Sequence, residues 1–382
     1  MKLWRGIVLG LIVGSLIHLW LVGWETWSDS WQIKWNKVRE LPAVMVDHYL
    51  SVPQRIPAEE REETLPVESV QNKETTEKHT AEAGFYSISD PGLYVALGMT
   101  AAEVREKWGN PERIDPSAYG YEWWIYNHDW EAYVQIGIKD NQVNTVYTNA
   151  PGWQWKDWRV GQEREEWAGA WSEQEEYTFT YQWGYYSFVL SEDDIRERPL
   201  YLEDDFAVQL YIDLHGGESI AGIRLMDLET LLLHRPYTLK YVGSLPEPSP
   251  LNEQERQAVD QANERQIFDM VNVTRTMIKL TPFDWHDGVA DVARRHSQDM
   301  LENNYFDHYS PHYGDLGERL QRGGVTFAKA GENIAWNYVD AADVHHGWLN
   351  SPGHRQNIVE PAFTHLGVGV VDKYYTQNFV KQ

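Results

Sequence analysis

Apolar residues are almost continuous from Ile7 to Trp24, broken only by Ser15 and His18, with Lys2 and Arg5 just ahead. A run of this length is near the minimum for a bilayer span, and the preceding basic residues favour a cytoplasmic N-terminus. The pattern predicts a transmembrane anchor over residues 1–24 with everything after Trp24 outside the cytoplasm. A cleaved signal peptide is the competing reading, but the stretch Leu19 to Trp24 offers no small-residue cleavage motif. Next, Trp24, Trp27, Trp31, Trp35 and Val38 recur at helical spacing. That stripe suits either a membrane interface or a packed helix face. From Pro53 to Gly84 there is no aromatic residue, and Glu59 to Glu63 are charged throughout. Residues 25–84 therefore read as a juxtamembrane helix followed by an acidic, solvated linker.

The pattern changes at Phe85, and residues 85–243 read as an α+β domain. A short helix is expected from Thr100 through Val104 and Trp108, stopped at Gly109-Asn110-Pro111. Strands follow at Tyr121 to Tyr126, Tyr133 to Ile138 and Val143 to Tyr147, with a turn at Lys139-Asp140-Asn141. A second set comprises Val160 to Trp171, then strands at Tyr185 to Leu190, Val208 to Leu214 and Ile220 to Leu225. A helix followed by antiparallel strands, twice over, suggests an internal duplication. This region holds ten of the nineteen Trp. They read first as core, and exposed ones could stack on the sugar rings of a cell-wall glycan.

Three prolines within Pro246 to Pro250 mark residues 244–261 as a linker and lead-in. Residues from about Pro250 are expected to fold alone. Ile267, Met270, Val271, Thr274 and Ile278 repeat at helical spacing, as do Val289, Val292, Ala293, His296 and Met300. His296 lies on an apolar stripe and reads as a buried, hydrogen-bonded histidine. Ala341 to Leu349 reads as a third helix ended by a turn at Ser351-Pro352-Gly353. Leu366 to Val371 and Tyr374 to Val380 alternate as strands.

Composition narrows the partners. The 382 residues are 42% apolar and 13% aromatic, ample for packed cores. A net charge of −25 lacks the basic footprint that nucleic acid requires. Cysteine is absent, which removes disulfides, thiolate ligands and a cysteine nucleophile.

Candidate chemistry clusters in the last third. The patches are His296-Ser297-Gln298-Asp299-Met300 with Phe306-Asp307-His308, then Gly331-Glu332-Asn333, then Asn350-Ser351-Pro352-Gly353-His354-Arg355. The gaps from His308 to Glu332 and from Glu332 to His354 are about two dozen residues each. Two imidazoles and a carboxylate on separate loops could hold a divalent cation such as zinc, handle protons, or simply tie the loops together. A carboxylate between them would favour their charged forms. No HExxH pair is present, and no G-x-S-x-G elbow surrounds Ser351. His345 and His346 read as a surface pair.

Together with Val271-Asn272, Arg275, Gly367-Val368-Gly369 and Tyr375 to Phe379, these patches resemble the CAP superfamily, also called the SCP-like or cysteine-rich secretory protein family, in its bacterial form. The resemblance covers residues 262–382 and implies an α-β-α sandwich. The region before it resembles the CAP-associated N-terminal domain. In the family a tetrad of two His and two Glu lines a cavity. Matched by motif, His308, Glu332 and His354 supply three members, with Asn333 and Ser351 in support. The second Glu position falls at Asn350-Ser351, which departs from the tetrad.

Three function classes follow for a membrane-anchored protein of the cell envelope. One is a binding module whose cavity takes a small ligand, lipid or cation. Another is a metal-assisted hydrolase acting on envelope material or peptides. The third is a structural protein that meets glycan, lipid or envelope proteins through its Trp-rich domain.

Overall fold

The structure is a computed structural model describing residues 97–382, apart from 152 and 171–173. The expected anchor, the Trp stripe and the acidic linker lie outside the described residues. No helix among the described residues is long and apolar enough to cross a membrane.

Helix α1 (Ala101–Trp108) opens on a reciprocal cap between Thr100 and Glu103 and stops at Gly109, whose φ is +77°. Four antiparallel strands follow: β1 (Arg113–Pro116), β2 (Glu122–Tyr126), β3 (Val134–Lys139) and β4 (Gln142–Thr148). Asp140 and Asn141 both have positive φ, as a tight two-residue hairpin between β3 and β4 demands. A small hairpin, β5 (Gln154–Trp155) and β6 (Trp158–Arg159), precedes helix α2 (Arg164–Trp167). Then come β7 (Glu176–Tyr181), β8 (Gly184–Val189), α3 (Glu192–Glu197), β9 (Leu200–Leu202), β10 (Phe206–Asp213), β11 (Ser219–Asp227), α4 (Leu228–His234) and β12 (Thr238–Val242).

The predicted strands of this half appear within two residues of their expected ends. They form a seven-stranded sheet, β1-β2-β3-β4-β11-β10-β9, in which the β3–β4 and β10–β11 hairpins meet along β4 and β11. Strands β7 and β8 leave it to form a separate sheet with β12. Trp123, Trp124, Trp153, Trp155, Trp158 and Trp167 are buried core, whereas Trp183, at the β7–β8 turn, is fully exposed.

The C-terminal half begins with the long helix α5 (Glu253–Met277), capped by Asn252 and Glu255. It continues through β13 (Asp284–Trp285), α6 (Asp287–Asn303), α7 (Leu316–Arg322), β14 (Lys329–Trp336), α8 (Ala341–Leu349), α9 (Pro352–Ile358), β15 (His365–Val371) and β16 (Tyr374–Lys381). The sheet order is β13-β15-β16-β14. Alternation along β15 sorts its two faces. Leu366, Val368 and Val370 join a cluster with Ile267, Met270 and Trp348 of α5 and α8. Gly367 and Gly369 point at α6, where an added Cβ would sit 2.2 Å from the Ala290 nitrogen and 1.9 Å from that of Arg294. Only glycine lets the α6 backbone rest there. Helices therefore cover both faces, an α-β-α arrangement. Helix α8 ends at Leu349 as its periodicity predicts, but Ser351-Pro352-Gly353 opens the next helix instead of forming a plain turn: Ser351 is the N-cap of α9, and Pro352 occupies its first turn, where no amide hydrogen is needed.

The proline linker does not divide two separate cores. One apolar cluster joins Trp123, Tyr133 and Tyr147 to Met270, Val344, Val368 and Phe379. Buried ion pairs cross the same boundary, Arg224 with Asp340 at 2.8 Å and Arg198 with Asp343 at 3.2 Å. Arg113 adds a half-buried pair with Asp269 at 2.9 Å. The expectation of an independent C-terminal half overlooked these partners, because a linker's composition says nothing about what its ends pack against. We expect residues 97–382 to unfold in urea as one cooperative transition. The excised piece 250–382 should aggregate or melt non-cooperatively, because it exposes the middle of that cluster.

Candidate functional site

Glu332 lies on strand β14 rather than on a loop. Successive residues of a strand face opposite ways, so Glu332 and Asn333 cannot line the same surface. The Glu332 side chain meets α7, where Arg319 grips both its oxygens: Nη1 donates to Oε2 and Nη2 to Oε1, each at 2.9 Å. Both side chains are only 4% exposed. His308 Nδ1 adds a third contact at 2.9 Å to Oε1, and its own ring is 55% exposed. Arg319 Nη2 also donates to the His308 carbonyl at 2.9 Å, which fixes the loop carrying that histidine.

Burial alone would raise the Glu332 pKa. Hydrogen bonds from His308 and Arg319 and the guanidinium charge outweigh it, so the carboxyl stays below its ordinary value and ionised. Arg319 was invisible to sequence reasoning. Its only signal was a place beside Leu320 in a short helical stretch.

His296 is the buried, hydrogen-bonded histidine expected. Its Nε2 lies 3.0 Å from the Asp307 carbonyl oxygen, which can only accept, so Nε2 carries the proton. Its ring stands 4.0 Å from Glu332. Burial lowers its pKa to about 4 despite that carboxylate. One turn on, Asp299 is a hub that went unassigned. Its carboxylate accepts from Asn303, Ser310, His312 and Tyr305, pinning the chain that carries His308.

The other candidates separate. His354, in the first turn of α9, makes no side-chain hydrogen bond or ion pair with a described residue. Burial, reinforced by the neighbouring His308, lowers its pKa to about 4, so it is held neutral rather than charged. Asn333 faces away from Glu332 and donates to the His354 carbonyl at 3.1 Å and to Gln377 at 3.0 Å, while accepting from Asn357 at 2.9 Å. It positions α9. Ser351 caps that helix by its backbone only, with no side-chain cap bond.

The donor set does not fit a divalent cation. Among the described residues no three His, Asp or Glu side chains group to hold one. Both Glu332 oxygens are already on Arg319, and a cation there would face a buried guanidinium. At Asn350-Ser351, where the resemblance places the second Glu, Asn350 is used in packing. Asn350 donates from Nδ2 to the Ile212 carbonyl at 2.9 Å and accepts from the Leu214 amide at 3.0 Å. A carboxylate could accept there but not donate.

His345 and His346 are not a surface pair. His345 is fully buried against Thr274, 3.0 Å away. His346 stacks on Tyr211 with ring centroids 4.2 Å apart and meets the Tyr147 hydroxyl at 2.8 Å. The β10–β11 hairpin covers this helix face, which periodicity within α8 cannot reveal.

Two outcomes follow from these partners. Replacing Arg319 by Ala leaves Glu332 buried without its cation, and urea titration should show a loss of about 3–5 kcal/mol. Imidazoles whose pKa is lower folded than unfolded contribute stability that is complete above about pH 6.5 and lost as pH falls toward 4. With His296 and His354 both near 4, the urea midpoint should be flat from pH 8 to 7 and drop steeply below about 6.5. His354→Gln should make that drop shallower.

Comparison with known proteins agrees with this geometry. Residues 97–237 match the CAP-associated N-terminal model and residues 268–382 the cysteine-rich secretory protein family model. The chain is 42% identical over 291 residues to the uncharacterized membrane protein YlbC of Bacillus subtilis, covering 76% of this chain and 84% of that one. It is 40% identical over 121 residues to the uncharacterized protein YkwD of the same organism, 31% of this chain and 47% of that one. A crystal structure of an extracellular protein containing a SCP domain, from Bacillus anthracis, superposes with a TM-score of 0.72 at 39% identity, covering 81% of this chain and 99% of that one. With the sandwich, the Gly367/Gly369 contact and both halves matched, the chain belongs to the cysteine-rich secretory protein (CAP) family and carries a CAP-associated N-terminal domain.

Proposed function

We propose that this chain is a membrane-tethered, extracytoplasmic binding protein whose CAP domain presents His308 and His354 to a small polar organic ligand without catalysing a reaction. The observation that carries the reading is the double grip of Arg319 on Glu332. A carboxylate so engaged is a poor general base and a poor metal ligand, because either role must first break a buried ion pair. What remains accessible is hydrogen bonding: the exposed His308 ring and the neutral His354 ring offer donors and acceptors fixed by their backbone partners.

Serine catalysis finds no support. Ser310 donates its hydroxyl proton straight to the Asp299 carboxylate at 2.7 Å, with no imidazole between them. The extracytoplasmic placement rests on the apolar run at Ile7 to Trp24 with its preceding Lys2 and Arg5, together with relatives named as a membrane protein and an extracellular protein.

Native mass spectrometry of the protein isolated from its membranes tests the ligand. The wild type is expected to retain an organic mass that His354→Ala loses. Stoichiometric zinc in the wild type, absent from a His308→Ala/His354→Ala double variant, would overturn the reading in favour of the metal-assisted hydrolase. Protease added to intact protoplasts should remove the CAP domain and spare an N-terminal tag. Full protection of the CAP domain would refute the topology.

A further inference from the structure

The CAP-associated domain carries a charge-free, apolar projection on an otherwise acidic molecule. The β7–β8 turn spans Gln182 and Trp183, and Gln182 takes φ +51°, a value that a residue with a Cβ adopts reluctantly. Trp183 stands fully exposed at that turn. Beside it, Tyr185 of β8 pairs with Val242 at the end of β12; the tyrosine is half-exposed and the valine 75% exposed. Tyr241 adds a partly exposed ring. The chain after β12 closes on the turn, where a Cβ on Gly243 would lie 2.8 Å from the Gly184 Cα. Behind the tip, Phe179, Tyr186, Phe188 and Leu239 are buried together, so the projection has a packed base. No residue from Tyr177 to Leu190, or from Tyr241 to Pro246, carries a charge, although the chain has 58 acidic residues.

Three kinds of partner compete for such a tip. At these exposures its four side chains present less area than the about 800 Å² per partner that a stable protein interface buries, which weighs against a second copy of this chain. Sugar hydroxyls need polar side chains placed beside the aromatic ring. Here those side chains are spent on one another: Gln182 donates to the Tyr181 hydroxyl at 3.2 Å, the Tyr186 hydroxyl donates to the Ser244 carbonyl, and Lys240 pairs with Glu176 at 3.3 Å. A bilayer interface asks for what is present: Trp and Tyr at headgroup depth, an aliphatic side chain with them, and no carboxylate to repel anionic lipid. A surface this small is too weak to hold a free protein. The anchor read at Ile7 to Trp24 keeps it beside the membrane and raises its effective concentration there.

We propose that the β7–β8 tip is a second membrane contact, with Trp183, Tyr185 and Val242 seated in the headgroup region of the bilayer that carries the anchor. The proposal rests on the membrane-tethered reading above. The chain has no cysteine, so Thr180→Cys, an exposed position paired with Tyr185, accepts a single environment-sensitive fluorophore beside the tip. The full-length chain is reconstituted into vesicles of phosphatidylethanolamine and phosphatidylglycerol in equal parts, and quenching of the label by lipids doxyl-labelled near the headgroup is measured. The label should be quenched. Trp183→Ala/Val242→Asp should lower the ratio of docked to undocked tip at least about tenfold while keeping the melting temperature, since both side chains are exposed. Flotation with the vesicles but no quenching, or equal quenching in the double variant, overturns the tip contact and leaves the anchor standing. Failure to float sinks both. A label shift that needs no lipid, and appears on adding solubilised glycan strands or on raising the protein concentration, overturns the proposal in favour of glycan or of a second copy.

Discussion

The arrangement of this CAP domain turns on a single buried carboxylate. Glu332 projects from β14 to a place where its side chain is almost wholly buried, and an unpaired charge there would cost several kcal/mol. Arg319 supplies the countercharge, and in doing so it draws α7 against the sheet. The same guanidinium holds the His308 carbonyl, and the His308 ring returns to Glu332. One ion pair thus fixes a strand, a helix and a loop that are distant in sequence. A pair of this kind is poor evidence of net stability, since apolar replacements can do as well. Its value is positional: with both oxygens committed, Glu332 anchors its neighbours instead of reacting.

A second constraint comes from the CAP-associated domain. The end of β10 and the following turn need a donor and an acceptor from the CAP side, and Asn350 provides both. Nearby, Arg355 reaches Asp213 at 2.8 Å, and Gly222 leaves room for the His346 ring, which an added Cβ would approach to 2.6 Å. Asn350, at the position where the resemblance expects a second Glu, is thus used directly in docking.

These two constraints also separate what the sequence could reveal from what it could not. Periodicity located α5, α6 and α8, five of the seven strands of the large sheet, and β15 and β16 of the C-terminal one, although these strands are buried on both faces. It placed His296 in the core correctly, since one apolar stripe on one helix was enough. It failed at His345 and His346, because their cover lies on other elements: Thr274 of α5 for His345, and Tyr147, Tyr211 and Gly222, well over a hundred residues earlier, for His346. It missed Arg319 for a related reason: a lone arginine in a short helix looks solvated until its partner on another element is known. Glu332 was read as a loop residue because Gly331 and Asn333 are turn-formers in isolation. Cross-strand pairing with Asn378 and Gln377 overrides that local preference. Motif matching, by contrast, carried His308, Glu332 and His354 to one region without saying how each would be bonded.

Arg319 has five N–H groups in a fixed plane, and that plane divides the domain's chemistry. The two terminal nitrogens face Glu332 and the His308 loop, while Nε is buried without a hydrogen-bond partner among the described residues. Lysine could neutralise Glu332 but has no rigid second edge to present elsewhere. The guanidinium cannot rotate without breaking both bonds to the carboxylate, so its orientation is fixed even though Nε has no partner among the described residues. His296 is constrained in the same way, its proton committed to the Asp307 carbonyl and its bare nitrogen left over. The Glu332 pair therefore does more than close one site: by fixing the orientation of Arg319, it also fixes the packing of α7 against His296 and the His308 loop.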